Sequence, residues 1–147
     1  MNPGAGFPRA VAPAPMAQLA EDSLLRELFH AYPDALLLVD AAGRIVRANP
    51  TAARLLGYGV DELTGLSVDA LVPQAVRSRH ADFRQAYAQA PRSRPMGLQM
   101  ELVAQRKDGS EVMVEIALSP LQDQGHPYVV AAIRDIAAYP RVQQALR

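Results

Sequence analysis

The sequence predicts an α+β domain: a five-stranded antiparallel sheet with helices on one face and an N-terminal flanking helix. Three observations predict it. Residues 98–105 and 112–119 alternate apolar and polar side chains with the period of half-buried strands. Residues 35–48 read as a short hairpin, and several helical segments lie between that hairpin and the later strands. Strands that flank a helical insertion form one sheet when the first hairpin joins the last three strands, leaving the helices to cover its concave face.

Composition narrows the chemistry. The 147 residues carry 15 basic and 15 acidic side chains, with no cysteine and no tryptophan. Without cysteine there is no disulfide, thiolate nucleophile, Cys-ligated zinc, iron–sulfur cluster or thioether-attached haem. Balanced charge removes the electrostatic argument for direct nucleic-acid binding. No apolar run approaches the ~20 residues of a membrane helix, and the N-terminus lacks a basic, then apolar, leader. A cytoplasmic chain with no membrane span is expected.

Taken in order, residues 1–16 hold four prolines among Gly and Ala and are expected to form a disordered lead-in. Residues 17–32 follow as an amphipathic helix, with Leu24, Leu25, Leu28, Phe29 and Tyr32 on one face. Pro33 stops it. Residues 35–40 and 44–48 form the hairpin, with Gly43 in the turn. Asn49 caps the next helix, Pro50 opens it and Gly57 closes it. Short turns at 61–63 and 68–71 precede a longer helix from Pro73 to about Gln89, whose stripe is Val76, His80, Phe83 and Tyr87. Arg77, Arg84 and Gln85 are expected to face away from that stripe. After a basic connector containing Arg92 and Arg94, three strands close the domain, with turns at 107–110 and 123–126. Residues 138–147 are expected to begin a connector helix.

Six motifs in this order resemble the PAS sensor family over about residues 20–137. They are Pro33-Asp34-Ala35, Asp40-Ala41-Ala42-Gly43-Arg44-Ile45, Asn49-Pro50-Thr51-Ala52-Ala53, Leu56-Gly57-Tyr58 with Glu62-Leu63-Thr64-Gly65, Arg106-Lys107-Asp108-Gly109-Ser110, and Arg134-Asp135-Ile136. The resemblance places a PAS domain at 33–137. It implies a non-catalytic module that senses a small ligand and passes the change to an effector, such as a histidine kinase, cyclic-dinucleotide enzyme or transcription regulator. The chain's end at Arg147, within an expected helix, fits the N-terminal part of a longer signalling protein. One departure is Pro140, which interrupts the helix that usually continues from the last strand.

The resemblance also implies a pocket lined by His80, Phe83, Tyr87, Leu98, Met100, Leu102, Val114 and Ile116. Arg79-His80-Ala81-Asp82-Phe83 is similar to the region where haem-binding PAS sensors place their iron-ligating histidine. His80 therefore has two readings, a haem ligand or a hydrogen-bonded histidine at the core edge. Met100 stands near the position of an arginine that reaches the gas in such sensors, and reads either as a sixth, thioether ligand or as core. Flavin is not expected, because the cysteine of the photochemical type and a tryptophan to stack on the ring are both absent. A filled core that only binds proteins is the remaining alternative. No metal site is expected from His30, His80 and His126, which lie far apart and without cysteine. No catalytic constellation is present: there is no G-x-S-x-G elbow and no complete G-x-G-x-x-G. The arginines at 77, 79, 84, 92 and 94 read as a solvated basic face. Leu24, Leu25, Leu28 and Phe29 read as a homodimer helix, or as a stripe packed on the outer sheet face near Val103, Met113, Ala117 and Ala132.

Overall fold

A computed structural model describes residues 13–92 and 102–138, with side chains from Glu21 to Arg92 and from Leu102 to Ala137. The chain divides into two compact units, one ending at Ala31 and the other beginning at Tyr32. In the first, helix α1 runs Pro13–Ala31. It starts inside the stretch expected to be a disordered lead-in, four residues before the expected boundary at 17. The reason is that Pro13 and Pro15 fall in the first turn, where backbone N–H groups have no helical partner to lose.

The second unit is built on one antiparallel sheet. Its strands are β1 (Ala35–Asp40), β2 (Ile45–Ala48), β3 (Leu102–Gln105), β4 (Glu111–Asp123) and β5 (His126–Asp135), in the order β2-β1-β5-β4-β3. The hairpin therefore joins the last three strands through β1 and β5, which pair from Ala35 opposite Ile133 to Asp40 opposite Tyr128. β4 and β5 pair further than the alternation predicts, from Val114–Asp135 out to Asp123–His126. A two-residue turn, Gln124 (φ 52°) and Gly125 (φ 80°), closes that hairpin with the left-handed backbone such turns need. Pro120 did not stop β4 because it lies beyond the Glu111–Val114 register that β3 shares with it.

Helix α2 (Pro50–Leu56), the short helix α3 (Val60–Leu63) and helix α4 (Arg77–Gln89) follow the first hairpin, with 3₁₀ turns at Val68–Leu71 and Gln74–Val76. The helix expected from Pro73 begins at Arg77 instead. Val76 sits at φ −116°, ψ 9°, outside helical geometry, so residues 74–76 close a separate 3₁₀ turn. The core lies between α2, α3 and the sheet, where Leu37, Ile45, Leu56, Leu63 and Val114 are fully buried.

Asn49 ties this core together. Its side-chain oxygen accepts from Leu36 N–H at 2.9 Å and from Ala52 N–H at 2.9 Å, while its amide donates to the Asp34 carbonyl at 3.0 Å. One buried side chain thus caps α2 and fixes the entry to β1. Beside it, Arg134 at the end of β5 pairs with Asp34 at 3.2 Å.

Candidate functional site

The site is assembled from a loop held on the sheet edge and one face of α4. β2 is the outer strand, and residues 65–68 run along it. Gly65 N–H donates to the Ile45 carbonyl at 2.7 Å, Ile45 N–H to Leu66 at 2.9 Å, and Val68 N–H to Gly43 at 2.8 Å. This covers a strand edge that would otherwise present unpaired backbone groups. Ser67 then accepts from Asp69 N–H at 3.2 Å and starts the 3₁₀ turn that carries Asp69. On α4, His80 and Arg84 are four residues apart and so share a face.

Asp69, His80 and Arg84 meet. Arg84 donates to both carboxylate oxygens of Asp69, through Nε at 3.1 Å and Nη2 at 2.9 Å. His80 Nδ1 lies 2.7 Å from Asp69 Oδ1. The Arg84 guanidinium holds the Asp69 carboxyl below the usual aspartate range, and the His80 hydrogen bond adds to this against the opposing effect of desolvation. An ionised carboxylate only accepts, so a hydrogen bond between the two groups requires a proton on His80 Nδ1. Arg84 also lies over the β1–β2 turn. A Cβ at Gly43 would stand 2.7 Å from its Cζ, and Gly43 has φ +85°, so a side chain there would strain the turn and displace the guanidinium.

Under α4 the sheet leaves a cavity of about 860 Å³. Its wall is mainly apolar: Leu37 and Val39 of β1, Leu71 and Val72, Phe83 and Tyr87 of α4, Ile116 and Leu118 of β4, and Ala131 and Ile133 of β5. Arg79, His80 and Arg84 supply polar groups along the helix side. Among the described residues of α4 none is buried, and Phe83 is 51% exposed. This volume, with an apolar lining and few polar groups, is that of a small-molecule or cofactor pocket.

The family model described as the PAS fold matches residues 23–136. The chain belongs to the PAS family. Among relatives of this PAS domain, the sensor protein FixL of Bradyrhizobium diazoefficiens is 28% identical over 123 residues, 84% of this chain and 24% of FixL. The oxygen sensor protein DosP of Escherichia coli is 30% identical over 99 residues, 67% of this chain and 12% of DosP. The chain thus spans a minor part of the length of both. Among solved structures, the PAS domain of an HTR-like protein from Haloarcula marismortui superposes with a TM-score of 0.68 at 27% identity, covering 84% of this chain and 99% of that one.

Of the residues expected to line the PAS pocket, His80, Phe83, Tyr87, Leu102 and Ile116 lie in the cavity wall. Val114 does not. It is 1% exposed in the packed core, because the inner face of β4 lies in the core at Val112 and Val114 before it reaches the cavity at Ile116. Leu98 and Met100 lie outside the described residues, as do Arg94 and Pro140. Arg84 does not face away from the stripe as expected, since its ion pair turns it toward Asp69 and the cavity. Nor is Arg77 a free surface charge: it donates to the Val72 carbonyl at 3.0 Å and to Gln105 Oε1 at 3.2 Å. The sequence reading missed Asp69. The four-residue spacing of His80 and Arg84 was a visible signal for a shared partner, but nothing in the sequence names a residue eleven positions upstream as that partner.

In the first unit, Leu24, Leu25 and Leu28 are each more than half exposed and Phe29 is half-buried. No helix among the described residues is long and apolar enough to cross a membrane.

Proposed function

We propose that this PAS domain is the sensory module of a signal-transduction protein, that its cavity takes haem, and that His80 is the iron ligand. The observation that carries the reading is the pairing of His80 Nδ1 with Asp69 at 2.7 Å in the wall of an apolar cavity. A histidine that ligates a metal through one ring nitrogen commonly donates the other N–H to a carboxylate. The residues present fit the group: an apolar wall for the porphyrin, an imidazole with a free lone pair, and Arg79 as a cation for a propionate. Bound haem iron would supply the position at which a diatomic gas or a redox change is read. The relative DosP is named an oxygen sensor, which favours this occupant over an organic one.

Output in this reading passes to an effector, a histidine kinase or transcription regulator attached to the chain or acting as its partner. The module is a homodimer in which the exposed Leu24, Leu25 and Leu28 of α1 pair about a two-fold axis. Haemin titration tests the haem reading. A Soret band that forms with wild type and is lost in His80→Ala is expected, and no band in the wild type overturns it. Light scattering tests the dimer: twice the chain mass for wild type and a monomer for Leu28→Asp are expected, and a wild-type monomer refutes it.

A further inference from the structure

We propose that Asp69 is a positioning residue for His80: its carboxylate, clamped by Arg84, holds the imidazole as the Nδ1–H tautomer and leaves Nε2 as the lone pair offered to the cavity's occupant. The geometry carries this. One carboxylate receives the Nδ1 contact at 2.7 Å and the two Arg84 contacts at 2.9 and 3.1 Å, so it cannot rotate without breaking an ion pair. Asp69 itself is placed by the Ser67 cap and by residues 65–68 bound along β2. Arg84 is seated on Gly43 of the β1–β2 turn. The orientation of His80 is therefore set from the hairpin as well as from its own helix.

An imidazole in water favours the opposite tautomer, with the proton on Nε2. That form would turn an N–H toward an iron-bearing occupant and block ligation. The two Arg84 contacts hold the Asp69 carboxylate in place as the acceptor for Nδ1–H.

The inference rests on the haem reading only for its second arm, so the two fail separately. The first arm uses ¹⁵N-labelled protein without haem, with long-range ¹H–¹⁵N correlation of the His80 ring at pH 8. A predominant Nδ1–H form is expected in wild type, and a shift to predominant Nε2–H in Asp69→Ala. The isosteric Asp69→Asn, a milder test of the fold, keeps a neutral acceptor and is expected to fall between them. A wild-type ring that is mainly Nε2–H, or an Asp69→Ala ring with the wild-type ratio, overturns the proposal.

The second arm uses the ferrous haem complex. Removing a hydrogen-bonded carboxylate should lower the iron–histidine stretching frequency in Asp69→Ala. It should also weaken haemin retention by about 10- to 100-fold, the usual loss for such a partner. An unchanged frequency overturns the proposal. If wild type takes no haemin while the tautomer shift appears, the haem reading fails and the positioning role stands.

Discussion

Helices α2 and α4 lie over the same sheet and are made in opposite ways. α2 is seven residues long, begins under the Asn49 cap, ends on a left-handed Gly57, and buries Ala52 and Leu56 completely. α4 is thirteen residues long, begins without a side-chain cap, and buries no residue. Polar contacts tie it to the rest of the domain, Arg77 to Val72 and Gln105, and His80 and Arg84 to Asp69. The first helix closes a core, and the second roofs a cavity. The difference teaches that one sheet can carry a close-packed helix and, beside it, a helix that leaves a cavity open. Apolar wall left uncovered under α4 is surface that an occupant can bury.

The sharpest way to break this comparison is to truncate a side chain on each side. Leu56→Ala removes a fully buried side chain and is expected to cost about 2–5 kcal/mol in urea denaturation. A loss below ~1 kcal/mol would mean that α2 is not the core helix. Asn49→Ala should come next, at about 1–3 kcal/mol, since it removes the cap and strands the Leu36 N–H and the Asp34 carbonyl in a buried site.

Smaller and pH-dependent is Asp69→Asn. Asp69 has its carboxyl pKa depressed in the folded chain, chiefly by Arg84. The folded state therefore binds that proton less readily than the unfolded state, so the contribution to stability is fully present above the ordinary aspartate value of about 3.9. It is lost as pH falls through the folded value. The difference in melting temperature between wild type and Asp69→Asn should shrink as pH falls below about 4. A gap that persists undiminished at pH 3 contradicts the pairing. Phe83→Ala is expected to matter least to folding, within about 1 kcal/mol by the same urea assay, because half of its surface is already in water. A larger loss would place Phe83 in the core rather than at the cavity mouth.

The packed side of the comparison was the more legible in the sequence. Asn49 followed by Pro50, and Gly57 at the far end, mark both ends of α2 through rules that act within a few residues, and the capped helix has those bounds. The alternation at 112–118 places Val112 and Val114 inward, and both are buried. The turn at 123–126 is where β4 meets β5. The errors fall on the other side. The stripe of Val76, His80, Phe83 and Tyr87 puts all four residues on the cavity wall, yet Arg84, expected to face elsewhere, joins them. Periodicity sorts side chains by hydropathy, and a long arginine with a half-buried ionic partner breaks that sorting. Val114 was assigned to the pocket because strand alternation gives a face but not where packing along that face ends.

The sequence by itself determined the strand and helix order, the caps and turns of α2 and the hairpins, and the membership of one histidine in an apolar stripe. These depend on backbone preferences and side-chain period, which are local. Only the tertiary structure decided that Asp69 stands between His80 and Arg84, with His80 Nδ1 within hydrogen-bond reach of its carboxylate. Those facts depend on β2 holding residues 65–68 against its edge while α4 crosses the sheet. A hydrogen bond has to bring two atoms within about 3 Å, and no spacing along the chain specifies such a meeting between separate elements.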